Sequence, residues 1–336
     1  MKVRSKYITV YICLGVALLL LFCGGLLYGA VRIPIRSVLE ILAGTFEGRQ
    51  TWVQIVMQSR LPQTITALFA GASLAVSGLL LQTLFKNPLA GPSILGISDG
   101  AYLGVALVMI YFSFNTYLST ILAAFVGASV VLLIIIGFSR KVRNSVMLLI
   151  IGIMVGYLAS SIISILNYHA SPDKVHQFVL WGMGDFTGVS MEKLPWFVIF
   201  AACGLLGSIF LIKPLNALLL GESYAANLGV RIRRIRVAIL LCTGILTAAT
   251  TAFCGPISFI GLAVPHIARL LLGTSNHKQL LPITLLAGAC VALLCNMLTV
   301  VPGSNSILPL NAITPIIGAP VIIYVIVNRR NIQYFN

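Results

Sequence analysis

Ten apolar stretches of 16 to 24 residues follow one another along this chain of 336, at 8–29, 62–83, 94–112, 117–138, 145–168, 195–212, 235–253, 258–273, 281–300 and 310–328. A helix needs about 20 mostly apolar residues to cross the hydrocarbon core of a bilayer. Nine of the ten have that character. The stretch 258–273 is short and carries Pro265, His266 and Arg269, so it is expected to be kinked or to span only partly. With 59% hydrophobic and 9% charged residues, the chain cannot bury its apolar surface in one water-soluble core. The reading is an all-α polytopic membrane protein, one transmembrane unit over 1–336, with about ten spanning helices. The stretch 8–29 is too long for a signal-peptide apolar region, so it is read as the first membrane helix.

Charge sets the orientation. With the N-terminus in the cytoplasm and the spans alternating, 16 of the 22 basic residues fall inside: Lys2, Arg4, Lys6, Lys86, Arg140, Lys141, Arg143, Lys213, Arg231, Arg233, Arg234, Arg236, Arg269, Lys278, Arg329 and Arg330. Outside remain Arg32, Arg36, Arg49, Arg60, Lys174 and Lys193, with five of the seven acids; Asp99 and Glu222 are inside. The net charge is then +14 inside and +1 outside. This bias fits the positive-inside rule and predicts both termini in the cytoplasm. The overall charge of +15 therefore belongs to the membrane surface, and no nucleic-acid partner is expected.

The absences narrow the function. There is no GxxxxGK[ST] loop to cradle nucleotide phosphates, no HExxH, and no Cys/His cluster at metal spacing. The seven cysteines lie in or beside apolar runs without paired spacing and read as small hydrophobes. No catalytic set, cofactor site or metal site is expected. The spans hold few ionisable groups, whereas an ion-driven carrier keeps some at midplane. A transporter of this kind draws its energy from elsewhere. An ion-coupled secondary carrier is the alternative of another class.

Two outside segments are long. Residues 30–61 contain IPIRSVLEILAG, apolar at helical spacing and suited to the membrane surface. Residues 169–194 contain Trp181 and Phe186, which suit an interfacial position. The segments AGASLAVSG (70–78) and GILTAATTAFCG (244–255) are rich in small and hydroxyl residues. Such helices pack closely; they can equally line a passage, and both readings stand. GESYAANLGV (221–230) is a short polar helix between apolar runs. Glu222 is placed to cap its start, Ala225 and Leu228 to share a face, and Gly229 to supply a left-handed end. Asn87-Pro88 and Gly91-Pro92 break the chain after the second span.

Four segments resemble the FecCD-type ABC permeases, importers of ferric siderophores, haem and vitamin B12. They are RLPQTITALFAGASLAVSGLLLQTLFKNPLAGPSILGISDGA (60–101), GESYAANLGV (221–230), FCGPISFIGLAVPHIARLLLG (253–273) and LPLNAITPIIGAP (308–320). The resemblance implies a type II ABC importer permease architecture of ten helices and an import function. A ferric siderophore is the expected cargo, with haem or cobalamin as alternatives. It implies a second permease copy or a sister permease, two ATPase subunits that bind the ATP and Mg this chain does not, and an extracytoplasmic substrate-binding protein. The location implied is the bacterial cytoplasmic (inner) membrane.

Site residues follow by position. The coupling helix, about 215–230, would meet the ATPase through Gly221, Glu222, Ser223, Ala225, Leu228 and Gly229. Arg231, Arg233, Arg234 and Arg236 would anchor the next span at the anionic leaflet. The cytoplasmic gate falls on Asn87, Leu89, Ser145 and Val146. Gly255, Pro256, Gly261, Pro265, His266 and Arg269 carry the cytoplasmic signature, with an interfacial cap and headgroup contact as the simpler role of His266 and Arg269. Arg60 would dock the binding protein. The chain departs from the family pattern at Gln63, where a second arginine is usual. It departs also at Asn296 and Val300, where the vitamin B12 importers carry Asp and Arg, at Ile307 and at Asn311.

Overall fold

In the computed structural model each of the ten apolar stretches forms a helix. The structure describes residues 2–112, 116–142, 145–301 and 308–327, with side chains from Lys6 onward, and no β-strand forms among them. Lys2, Arg4, Arg143, Arg329 and Arg330 of the charge count, and Ile307, therefore lie outside the described side chains. The order is α1 (Lys2–Leu27), α2 (Ile35–Ala43), α3 (Gln50–Gln54), α4 (Leu61–Phe85), α5 (Ile97–Ala106), α6 (Tyr117–Lys141), α7 (Ser145–His169) and α8 (Pro172–Gly182). There follow α9 (Leu194–Phe210), α10 (Ile212–Leu219), α11 (Glu222–Asn227), α12 (Ile232–Cys254), α13 (Ile260–Leu272), α14 (His277–Leu298) and α15 (Leu310–Val327).

Among the described residues seven helices are long and apolar enough to cross a bilayer, and α9 with α10 makes an eighth candidate bent by 53°. The other two stretches are shorter. Ile97–Tyr111 and α13 reach about 20 Å at 1.5 Å per residue, short of the roughly 30 Å core. The stretch 258–273, expected to be kinked or partial, is accordingly short as a helix, and α5 shares the trait. π-Helical turns extend two helices, at Ile55–Arg60 before α4 and at Leu107–Tyr111 after α5. The first has a local cause. Pro62 has no N–H for the Gln58 carbonyl, and the helix widens there, with the Leu61 N–H reaching the Val56 carbonyl instead.

α4 lies at the centre, with α12 and α14 packed against it; most of each helix is inside the chain, whereas α1 is almost wholly at the rim. Small residues make the centre possible. A Cβ on Gly71 would strike the Gly288 backbone, and one on Gly78 would strike the Gly261 carbonyl. That carbonyl is special. Pro265, four residues on, cannot donate to it, so the bare Cα of Gly78 packs where a ladder hydrogen bond would have been. Pro265 sits inside a continuous α13 and is buried. Ser77 and Thr247 share a buried hydroxyl hydrogen bond of 3.1 Å between α4 and α12. Ser73, Thr243, Thr250 and Thr251 are buried as well. The small-residue segments thus pack within one chain, as the packing reading requires.

α2 has the expected amphipathic form: Val38 and Ile41 are buried, Ile35 and Leu39 exposed, and Gly44 ends it in the left-handed region at φ 74°. The interfacial expectation for 169–194 fails for Phe186, which is 1% exposed in the main core, and Trp181 packs on Tyr102 at 5.6 Å.

Polar contacts sort into two ends. One end joins Lys6 to α13, α6 to Arg233 and Arg236, and α10 to α14. The other joins Arg60 to α1, Gln63 to Asn296, Lys174 to the Ile110 carbonyl, and Asp185 to Cys254. The residues that the charge count assigns to the inside meet at the first end, and those assigned to the outside at the second.

Candidate functional site

The inner end is built around the α10–α11 unit. Gly221 has φ 112° and Gly229 φ 82°, both in the region glycine favours. At the second glycine the Val230 N–H reaches the Ala225 carbonyl at 3.0 Å and the Gly229 N–H the Ala226 carbonyl at 2.9 Å, a Schellman ending. The expected left-handed stop is therefore in place. Ala225 is fully buried and fixes the back of α11, while Tyr224 and Leu228 are 55% and 59% exposed at its front. Ala225 and Leu228 do not share a face as their spacing suggested, because Leu228 already belongs to the turn that ends the helix.

Glu222 does not cap α11. Its carboxylate turns sideways, accepting from the Ser145 hydroxyl at 3.0 Å and from Arg236 Nη2 at 3.0 Å. Arg236 is buried and its Nη1 donates to the Val142 carbonyl at 2.8 Å, at the end of α6. Arg233 donates to the Arg140 carbonyl. Of the four arginines expected at the leaflet, Arg231 and Arg234 are exposed, whereas Arg236 is a strut inside the protein. Ser223 is exposed beside them.

The gate positions fall next to this unit. Thr83, Leu84, Phe85 and Lys86 at the end of α4 share a cavity of about 310 Å³ with Ser145, Val146, Leu218 and Glu222. Lys86 is left-handed at φ 47°, and Asn87 Oδ1 accepts the Leu89 N–H at 2.9 Å, which closes the turn. Leu89 and Val146 are 41% and 53% exposed. Asn87 and Leu89 sit just beyond the cavity, so the structure brings the two gate segments together through the residues that precede Asn87.

The signature residues divide between the two ends. His266 Nε2 donates to the Pro88 carbonyl at 2.7 Å, and Arg269 Nη1 donates to Gln82 Oε1 at 2.6 Å. Both side chains are buried, so they brace the turn after α4 and do not meet lipid headgroups. Gly261 serves the contact with α4, and Pro265 frees its carbonyl. Gly255 and Pro256 precede α13 and lie at the opposite end. There a Cβ on Gly255 would meet the Trp181 carbonyl at 2.5 Å, and the Pro256 carbonyl accepts from Asn311 Nδ2 at 2.7 Å. These contacts join them to the segments that the charge count assigns to the outside, whereas His266 and Arg269 contact the end of α4 and the turn after it.

Arg60 is the largest correction. It is 5% exposed, and its guanidinium donates to the carbonyls of Leu26 at 2.9 Å, Leu27 at 3.0 Å and Val31. The last carbonyls of a helix have no intrahelical donor. Arg60 supplies donors to the end of α1 and is not presented to a docking protein.

The profile of the FecCD transport family matches residues 17–328. The chain belongs to the FecCD transport family. Its fold is that of a type II ABC importer permease. Vitamin B12 import system permease protein BtuC of Klebsiella pneumoniae is 36% identical over 276 residues, 82% of this chain and 83% of that protein. Molybdate import system permease protein MolB of Haemophilus influenzae is 35% identical over 319 residues, 92% and 93% of the two chains. A solved inward-facing conformation of a protein described as a metal-chelate type ABC transporter superposes with TM-score 0.82 at 30% identity, covering 96% of this chain and 99% of the other.

The departures from the FecCD pattern have partners. Gln63 Nε2 donates to Asn296 Oδ1 at 2.8 Å, so two of the departures are one neutral pair between α4 and α14. Asn311 uses its whole amide: Oδ1 accepts the Ser258 N–H at 3.0 Å, and Nδ2 donates to the carbonyls of Gly182 and Pro256. Gln82, Thr83, Asn216, Arg236 and His277 escaped the sequence reading as site residues. For Arg236 a signal existed, since it continues the buried spacing of Leu240, Thr243 and Thr247 along α12.

Proposed function

We propose that this FecCD-family chain is the permease subunit of a binding-protein-dependent ABC importer in the bacterial cytoplasmic membrane, with both termini inside. Two such subunits, identical or a sister pair, enclose the passage. Two ATPase subunits bind ATP and Mg at the α11 end, and a substrate-binding protein docks at the other. The observation that carries this reading is α11 itself. It is fixed from behind by Ala225 and Glu222 and open in front at Ser223, Tyr224 and Leu228, beside both gate segments. Gly221 and Gly229 set its two ends. ATP-driven closure of the ATPases then moves α11, and α11 moves the gate at Asn87, Leu89, Ser145 and Val146. Tyr224→Asp with Leu228→Asp tests this. The double substitution should abolish co-purification with the cognate ATPase, and an unchanged complex would sink the assignment.

The cargo we assign is a ferric siderophore. The structural neighbour described as a metal-chelate type transporter supports a metal complex. Mass spectrometry of the cognate binding protein as purified tests it: a retained ferric chelate is expected, and retained haem, corrinoid or molybdate reassigns the cargo. Uptake that persists in vesicles without the ATPase would assign an ion-coupled carrier instead.

A further inference from the structure

The α10–α11 unit touches the rest of the inner end through two sets of polar contacts, and each leads to a different gate segment. The first runs from α11. One carboxylate oxygen of Glu222 holds the hydroxyl of Ser145, the first residue of α7, and the guanidinium of Arg236. Arg236 in turn holds the Val142 carbonyl and lies 3.5 Å from Ser145 Oγ. Both flanks of the α6–α7 connection are thus tied to α11 through one buried guanidinium. The second set runs from α10. Asn216 Oδ1 accepts the His277 backbone N–H at 2.8 Å and lies 2.9 Å from His277 Nδ1. His277 Nε2 lies 2.8 Å from the hydroxyl of Thr83, which also donates to the Leu79 carbonyl at 2.9 Å, one turn back along α4. Asn216 Nδ2 also donates to Asn276 Oδ1, the acceptor that caps α14. Thr83 and His277 are each 1% exposed, and Thr83 stands three residues before the left-handed turn at Lys86.

We propose that these are two separate mechanical linkages: Glu222–Arg236–Ser145 from α11 to the start of α7, and Asn216–His277–Thr83 from α10 to the end of α4. The proposal rests on the coupling role given to α11 above and adds the residues that carry its motion. Hydrogen bonds weaken steeply with distance and angle, and charge-assisted ones are about twice as strong as neutral ones. A displacement of the α10–α11 unit therefore drags both gate segments with it or breaks these contacts. Packing holds the back of the unit through Leu215, Leu218 and Ala225, and the polar contacts tie it to the two gate segments across the open cavity. Arg236, Asn216, His277 and Thr83 are positioning residues: they hold the gate without lining it.

The test uses the permease with its cognate ATPase in lipid nanodiscs, in a cysteine-free background, with one cysteine at exposed Leu89 or Val146. The readout is the change in maleimide labelling rate on adding ATP and vanadate, together with the ATPase rate. Without further substitution both positions should respond. Arg236→Met should shrink the response at Val146 about tenfold with ATPase activity within about twofold, and Glu222→Gln should shrink that response about tenfold as well. Asn216→Leu should do the same at Leu89 and leave Val146 responsive. Glu222→Gln keeps the volume and Asn216→Asp keeps the acceptor, so folded variants are at hand if harsher ones do not assemble. A full response at both positions, or a loss at both from either single linkage, overturns the two-linkage proposal. Tyr224→Asp with Leu228→Asp separates the underlying reading: if the ATPase still binds, the coupling role of α11 fails whatever the labelling pattern.

Discussion

Replacing Arg60 separates a structural role from a docking role. Its guanidinium spans three carbonyls at and beyond the end of α1 and is 5% exposed. A hydrogen bond to a charged group contributes about 1.5–3 kcal/mol net. Three of them share one desolvation cost, so they do not add in full. Arg60→Met removes the charge and leaves buried carbonyls without a donor, at about 1–3 kcal/mol each, so a total cost of about 3 kcal/mol or more is expected. That is a fifth or more of the roughly 5–15 kcal/mol that stabilises a typical domain. Arg60→Lys should recover part of it, since an ammonium can serve one or two carbonyls but cannot span three as the fork does. The assay is thermal unfolding of the detergent-solubilised protein, paired with the affinity of its folded fraction for the binding protein. The expected result is a marked drop in midpoint for Arg60→Met, a smaller drop for Arg60→Lys, and unchanged affinity of what remains folded. An unchanged midpoint with weakened binding would refute the argument and restore Arg60 to the docking surface.

Three further outcomes follow from the packing. Gly78→Ala drives a methyl into the Gly261 carbonyl and should cost about 3 kcal/mol or more, read as loss of folded protein by size-exclusion chromatography; a neutral effect would contradict the contact between α4 and α13. Gly229→Ala meets no atom within 4 Å, so its cost should be conformational only, about 1–2 kcal/mol in thermal unfolding, with Gly229→Asn milder. Gln63→Arg and Asn296→Asp should each destabilise alone and compensate together. A double-mutant cycle in thermal stability should show coupling above about 1 kcal/mol, and strict additivity would dissolve the pair.

What the sequence reveals here follows from what is local. The spans are legible because a bilayer demands length and apolarity, and both are properties of a contiguous stretch. The ends of α11 are legible because only glycine takes φ 82° or 112° without strain. The partners of polar residues are not legible, because most are chosen from other helices far along the chain. Glu222 looks like a cap until Ser145 appears 77 positions away in sequence and 3.0 Å away in space. His266 and Arg269 look interfacial because they close an apolar run, yet they reach back 178 and 187 residues, to the turn after α4 and to the last turn of α4 itself. Gln63 and Asn296 look like two lost charges. They are one retained contact, and only a view of both at once shows it.

The same view changes the meaning of the chain's excess charge. Arg60 serves the end of α1, Arg233 and Arg236 serve the end of α6, Lys6 the end of α13, and Lys174 the last turn after α5. Each cation donates to carbonyls that no residue of the same helix can reach. Near a bilayer such carbonyls cannot rely on water, and the helix dipole makes that end attract positive charge. Long basic side chains are the donors that reach. Helices end on both sides of the membrane, so this demand places cations on both sides and does not by itself produce a bias. Arg60 and Lys174 answer it at the outer end, and they are two of the six basic residues there. The surplus at the inner end is more than capping requires: Arg231 and Arg234 are exposed at the start of α12, where a helix dipole disfavours cations. Their placement needs another cause, and the anionic inner leaflet is one that acts on exposed arginines.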